Sequence, residues 1–198
     1  MQRALKILSA ALIALMPLSA IADDGKNNDD PFELTIDENT TPPKLGKKQT
    51  EALRQRMQTI VSDLRRHKYN VTKSHNGLVV TVSIPCSRLF AANDTTKLLP
   101  DAENLLKPLL PYAEKTDLYK IVISVHSDNT GSEQYRYDVT EARANLLCDF
   151  FEKHAPETEK AQTVIPYGLG HEEKLNADDS ILNRSRNRRA EINIVPLK

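Results

Sequence analysis

Asp128 and Arg143 are the residues of this sequence best placed to do chemistry. Asp128 sits in the polar run His126-Ser127-Asp128-Asn129-Thr130-Gly131, directly after the β-branched run 119–125. That run is short enough for a buried strand, which puts the acid at a strand's carboxyl end, the edge where open α/β sheets bind ligands. Arg143 falls in the middle of the helical stretch that follows, between Ala142 and Ala144. A carboxylate and a guanidinium converging on one groove complement a zwitterion: the acid takes an ammonium, and the guanidinium takes a carboxylate through paired N–H bonds. A free amino-acid end is such a ligand. The plainer reading is an ion pair tying loop to helix, of a kind often worth little at a surface. Residue types alone leave both readings open and favour the plainer one.

Other chemistries are poorly served. His126, Ser127 and Asp128 are consecutive, and neighbours on an extended segment point apart, so they cannot form a triad among themselves. Gly168-Leu169-Gly170 lacks the third glycine and the following helix of a dinucleotide fingerprint. The His126/Asp128 spacing suggests half a metal site, but no third ligand accompanies it. No enzyme, cofactor or metal is therefore expected. Cys86 and Cys148 lack paired Cys/His spacing. They are either a disulfide or two small buried hydrophobes, and the sequence leaves that choice open.

These residues need a scaffold to position them. Leu53, Met57, Ile60, Val61 and Leu64 mark one stripe of an amphipathic helix over 47–68. Its surface could serve a partner, although such a stripe more often packs on its own domain. Asn76-Gly77 between two β-prone runs, 69–73 and 78–84, signals a hairpin, because both residues tolerate positive φ. Residues 98–114 carry a leucine stripe that Pro108 should kink or divide. After the strand at 119–125, a helix runs to about 154, holding Val139, Ala142, Leu146, Leu147 and Phe150 on its apolar side. A strand near 163–165, a helix over 180–189 and an alternating strand over 190–195 complete the pattern. The alternation of strand and helix predicts an α/β sandwich, one mixed sheet of about four strands packed against helices.

The N-terminus reads as an export signal. Arg3 and Lys6 precede an apolar run from Ile7 to Ala22, and Ala20 and Ala22 suit the −3 and −1 positions of a signal-peptidase site. The run is shorter than the roughly 20 residues that span a bilayer. No Cys follows it to carry a lipid anchor. Cleavage after residue 22 would leave no later segment apolar enough to cross a membrane as a helix. Residues 23–46 are polar, rich in Asp and Asn and broken by Pro31, Pro42 and Pro43, so they read as a flexible tail. Residues 47–77 lead into a domain over 78–198. The full chain of 198 residues carries 27 basic and 27 acidic residues. Removing residues 1–22 takes away two basic residues and no acid, for a net charge of −2. That is no footprint for nucleic acid, which requires a clustered basic excess.

Three spaced segments carry a family resemblance. They are Val125-His126-Ser127-Asp128-Asn129-Thr130-Gly131, then Arg136 through Arg143-Ala144, and Asn187-Arg188-Arg189-Ala190-Glu191-Ile192. Together they resemble the G-H-T-D-x-x-G, N-x-x-L-S-x-x-R-A and N-R-R-V-E-I motifs of the OmpA-like peptidoglycan-binding domain, also seen in Pal-type and MotB-type envelope proteins. Leu89-Phe90 and the turn after it match that domain's opening, so the resemblance covers residues 79–196. It implies a periplasmic protein, soluble or peripherally attached to the outer membrane or cell wall, that binds peptidoglycan non-covalently. It implies that Asp128 pairs with the ammonium and Arg143 with the carboxylate of a diaminopimelate-type stem peptide. It also sets Ser127 and Arg188 beside that ligand, with Arg184 and Asn187 capping or pairing inside the domain. Three departures from the pattern carry weight: Val125 for Gly, Arg136 for Asn, and the pair Val139-Thr140 for Leu-Ser. Arg136 falls near the helix face of Arg143 and is expected to enlarge the positive field of the site or to crowd an ammonium. A scaffold that keeps the fold, has lost the wall ligand and binds an envelope protein is the alternative.

Overall fold

The computed structural model describes residues 46–74, 76–91, 97–154 and 164–197. The expected export signal, and the expected tail apart from Gly46, lie outside the described residues. Helix α1 runs Lys47–Arg66 and buries the expected stripe: Leu53, Met57, Ile60, Val61 and Leu64. The hairpin follows as β1 (Asn70–Lys73) and β2 (Val80–Pro85). At its turn Gly77 takes φ +73, and the Asn76 side chain accepts the Leu78 amide at 3.0 Å. Asn-Gly works here because one residue supplies a local acceptor and the other the left-handed backbone.

Pro108 divides the next stretch into α2 (Ala102–Leu106), a 3₁₀ turn at Lys107–Leu109 and α3 (Leu110–Ala113). A proline has no N–H to continue the ladder. Strand β3 runs Tyr119–His126, and α4 spans Glu133–Glu152. Ser132 caps α4, its side chain accepting the Tyr135 amide at 3.2 Å. Strand β4 (Val164–Gly168), helix α5 (Ile181–Asn187) and strand β5 (Arg189–Pro196) complete the order.

The sheet has five strands in the order β1-β2-β5-β3-β4. Only β3 and β4 run parallel. The mixed sheet packed against helices is as expected, and the hairpin arm β1, which pairs with β2 over four residues, adds a strand at one edge to the expected four or so. On the other edge β4 carries Pro166, tolerable because no further strand needs its missing N–H.

The register sorts the two faces. Val80, Ile194 and Ile121 stand side by side, as do Val82, Ile192 and Ile123, then Ile84, Ala190 and Val125. All nine join the main core, together with Met57 and Leu64 of α1 and Leu147 and Phe151 of α4. The opposite face alternates out of step and is polar at one end, with Ser124 opposite Glu191 and His126 opposite Arg189. That end is also where Asp128 emerges.

Candidate functional site

The site forms where β2 and β3 end, β4 gives way to its loop and β5 begins. Its assembly depends on α4 lying hard against β4. A Cβ on Gly168 would come within 2.2 Å of the Glu141 backbone nitrogen, so only glycine permits this approach. Gly170 then turns with φ +51, and its amide donates to Thr140 Oγ1 of α4 at 3.0 Å. The Gly170 carbonyl accepts the Ser127 amide at 2.6 Å, while Leu169 N donates to the Val125 carbonyl at 2.9 Å. The loops after β3 and β4 are thus stitched together and to the helix.

Asp128 is 3% exposed in this stitched loop. Its Oδ1 accepts the Thr130 amide at 3.1 Å, and its Oδ2 accepts Arg188 Nη1 in a close ion pair. The Arg188 side chain is 42% exposed, so the pair has one wall open to solvent. Ser127 Oγ donates to the Asp128 carbonyl at 2.7 Å.

Arg143 reaches the same region from α4. Its guanidinium carbon stands 5.0 Å from the centre of the Phe90 ring, a cation–π geometry. Its charge also acts on the thiol of Cys86, whose own amide donates to the Arg188 carbonyl at 3.0 Å. Cys86 therefore joins the two arginines. Burial pushes its thiol up to about 11, against the opposing pull of Arg143, Arg188 and Arg189. Arg143 Nε is buried with no hydrogen-bond partner among the described residues.

Arg136 faces the loop. Its Nη1 donates to the carbonyls of Gly131 at 2.5 Å and Asn129 at 3.4 Å, and its Nε donates to His171 Nδ1 at 3.1 Å. The plainer reading, an ion pair between Asp128 and Arg143, is corrected: the Asp128 carboxylate pairs with Arg188 instead. Asp128, Ser127 and Arg188 come together directly, and Arg143 joins them through Cys86.

Asn187 is fully buried and organises the loop before α5. It accepts the amides of Leu175 and Asn176 and donates to Asn176 O and Asp178 Oδ1, all within 2.8–3.0 Å. Arg184 donates to the Asp178 carbonyl at 3.1 Å, so both serve inside the domain as expected. On the polar face, His126 Nε2 lies 3.7 Å from Glu191 Oε2, and Arg189 Nε donates to Glu191 Oε1 at 2.6 Å. Burial alone would raise the Glu191 carboxyl, but the His126 ring and Arg189 charge outweigh it and hold it near 2.

No group of three or more His, Cys, Asp or Glu could hold a metal among the described residues. Cys86 and Cys148 are buried free thiols. Sequence reasoning placed none of Cys86, Phe90 and His171 at the site. Phe90 was visible as part of the opening motif, whereas nothing in the spacing signals the other two.

No family model matches the chain. A curated relative, the outer-membrane lipoprotein YfiB of Pseudomonas aeruginosa, is 29% identical over 110 residues, which cover 56% of this chain. The match spans 63% of that relative's length. Among solved structures, a MotB-like protein of Desulfovibrio vulgaris superposes with TM-score 0.62 at 21% identity, covering 74% of this chain and 98% of that one. The cell wall anchor of the T6SS from Pseudomonas aeruginosa superposes with TM-score 0.56 at 22% identity, covering 70% and 95%. These likenesses, with the five-stranded mixed sheet and its helices, establish the fold as the OmpA-like α/β sandwich.

Proposed function

We propose that this protein is a non-enzymatic, periplasmic peptidoglycan-binding domain that grips a diaminopimelate-type zwitterion of the stem peptide. Asp128 receives the ammonium and Arg143 the carboxylate. The carrying observation is a buried carboxylate and a guanidinium with an unpartnered N–H at the same end of the sheet. Asp128 is buried yet already holds a cation, Arg188, on its solvent side. Arg143 keeps a buried N–H without a partner. Leaving such a donor unsatisfied costs about 1–3 kcal/mol, which a ligand carboxylate would recover. An incoming ammonium would share or replace Arg188 on Asp128, freeing that guanidinium for a second carboxylate. Ser127 retains its lone pairs for the same ligand. The similarity to a T6SS cell wall anchor and to the outer-membrane lipoprotein YfiB supports the compartment and the polymer.

Co-sedimentation with diaminopimelate-type sacculi tests the reading. Asp128→Ala and Arg143→Ala are each expected to abolish pelleting, since losing one partner of a desolvated charge pair costs about 2–5 kcal/mol. If both folded variants still pellet with sacculi, the assignment fails. A wild-type protein that never pellets, and co-purifies with an envelope protein, would instead establish the scaffold alternative.

A further inference from the structure

We infer that Arg136 and His171 form a positioning clamp that holds the Asp128 loop in its binding shape; the inference rests on the ligand reading above. The loop 128–131 leads into α4 through Gly131, whose φ of +87 lies in the left-handed region. Its carbonyls at Asn129 and Gly131 both point at Arg136 Nη1, one at 3.4 Å and one at 2.5 Å. A guanidinium is a planar fork, so fixing its Nε fixes the direction of Nη1. His171 provides that fix by accepting Nε at 3.1 Å through Nδ1. His171 is itself tethered: the next residue, Glu172, accepts the hydroxyl of Tyr137, the residue after Arg136. Two adjacent side chains of α4 thus seize two adjacent residues of the loop after β4.

The consequence reaches Asp128 through one bond. The Thr130 amide, which lies between the two clamped carbonyls, donates to Asp128 Oδ1. Holding Asn129 and Gly131 therefore holds the carboxylate's own donor. Three of Arg136's five N–H groups are committed to this work, and both on Nη2 remain outside it. Arg136 acts on the ligand through the loop, and His171 acts through Arg136. An asparagine at position 136, as in the family pattern, has no such fork, so the clamp depends on the arginine that stands there.

The test uses residues 23–198, a soluble diaminopimelate-containing stem peptide as probe, and amide hydrogen exchange of the free protein. Arg136→Gln and His171→Leu should each speed exchange at Thr130 while leaving the β3–β5 ladder amides protected. Each should weaken peptide binding about tenfold, as when the competent loop falls to about a tenth of the population. His171→Asn, whose side-chain oxygen stands near the Nδ1 position, should restore both readouts, which a bulk packing role would not predict. Combining Arg136→Gln with His171→Leu should cost no more than either alone. The clamp is overturned if Thr130 exchange is unchanged in Arg136→Gln. Lost affinity beside that unchanged exchange would assign Arg136 to direct ligand contact. If the wild-type chain does not bind the peptide, the ligand reading fails, and Thr130 exchange still decides the clamp.

Discussion

Val125 and Ala190 explain one another. The family pattern has Gly and Val at these two positions, and here they are Val and Ala. The register makes them cross-strand partners on the core face, both fully buried. Bulk lost from β5 has moved to β3, so the core keeps its volume to within one side-chain carbon while each strand departs from pattern. Volume-conserving exchanges are what packed interiors tolerate best. Val125→Gly should therefore destabilise by about 2–4 kcal/mol, from the cavity and from glycine's backbone entropy. Ala190→Val alone should cost about 1–3 kcal/mol by overpacking. The double variant should be markedly more stable than the sum of the two penalties, as read by urea unfolding of all four proteins. Simple additivity would refute the compensation. The same logic marks the limit of the sequence at this scale. Asp128, Arg143, Ser127 and Arg188 were legible because spaced motifs named them. The Arg188 partner of Asp128 and the Phe90 ring near Arg143 depend on contacts across 60 and 53 positions, which no local pattern encodes.

At the scale of elements, the decisive contact is α4 on β4. Gly168 meets the Glu141 amide and the Thr140 backbone, and a backbone cannot step aside as a flexible side chain can. Gly168→Ala should shift α4 outward, cost about 3 kcal/mol or slightly more, and weaken ligand binding together with stability. A denaturant titration paired with the sacculus assay checks both; an unperturbed alanine variant would show that the helix has room. The reason for this glycine was invisible from sequence, where Gly168-Leu169-Gly170 was weighed only against a nucleotide fingerprint. Most element types were legible, since the α1 stripe, the Asn76-Gly77 turn and the β-branched run of β3 each have a strong local cause. Boundaries were less so. Pro108 was rightly suspected, but how it divides the segment into α2, a 3₁₀ turn and α3 depends on tertiary packing. Strand β1 was seen as a hairpin arm and omitted from the sheet count because four residues carry little periodic signal.

For the whole molecule, the question is how much chain the fold requires. Sequence reasoning drew the domain at residue 78 and treated 47–77 as a lead-in. Met57, Ile60, Val61, Leu64 and Val71 nonetheless lie in the same core as Val82, Ile192 and Phe151, and Leu53 is 4% exposed. Fully burying an aliphatic side chain contributes about 1.5–3 kcal/mol, so these six together contribute roughly 9–18 kcal/mol before ordering costs are set against them. Unfolded chains already bury part of this area, so the figure is an upper estimate. Even so, it rivals the 5–15 kcal/mol by which a typical domain is stable at all. Removing residues 46–77 would also strip β1 from β2 and leave β2's backbone as an open edge, a surface that invites pairing with other chains. A protein of residues 78–198 should therefore fail to unfold cooperatively and should self-associate, whereas 46–198 should melt in a single transition and should match residues 23–198 in the sacculus assay. Differential scanning calorimetry with light scattering compares the two directly. A cooperative, monomeric 78–198 fragment would show that α1 and β1 decorate a core that is complete without them.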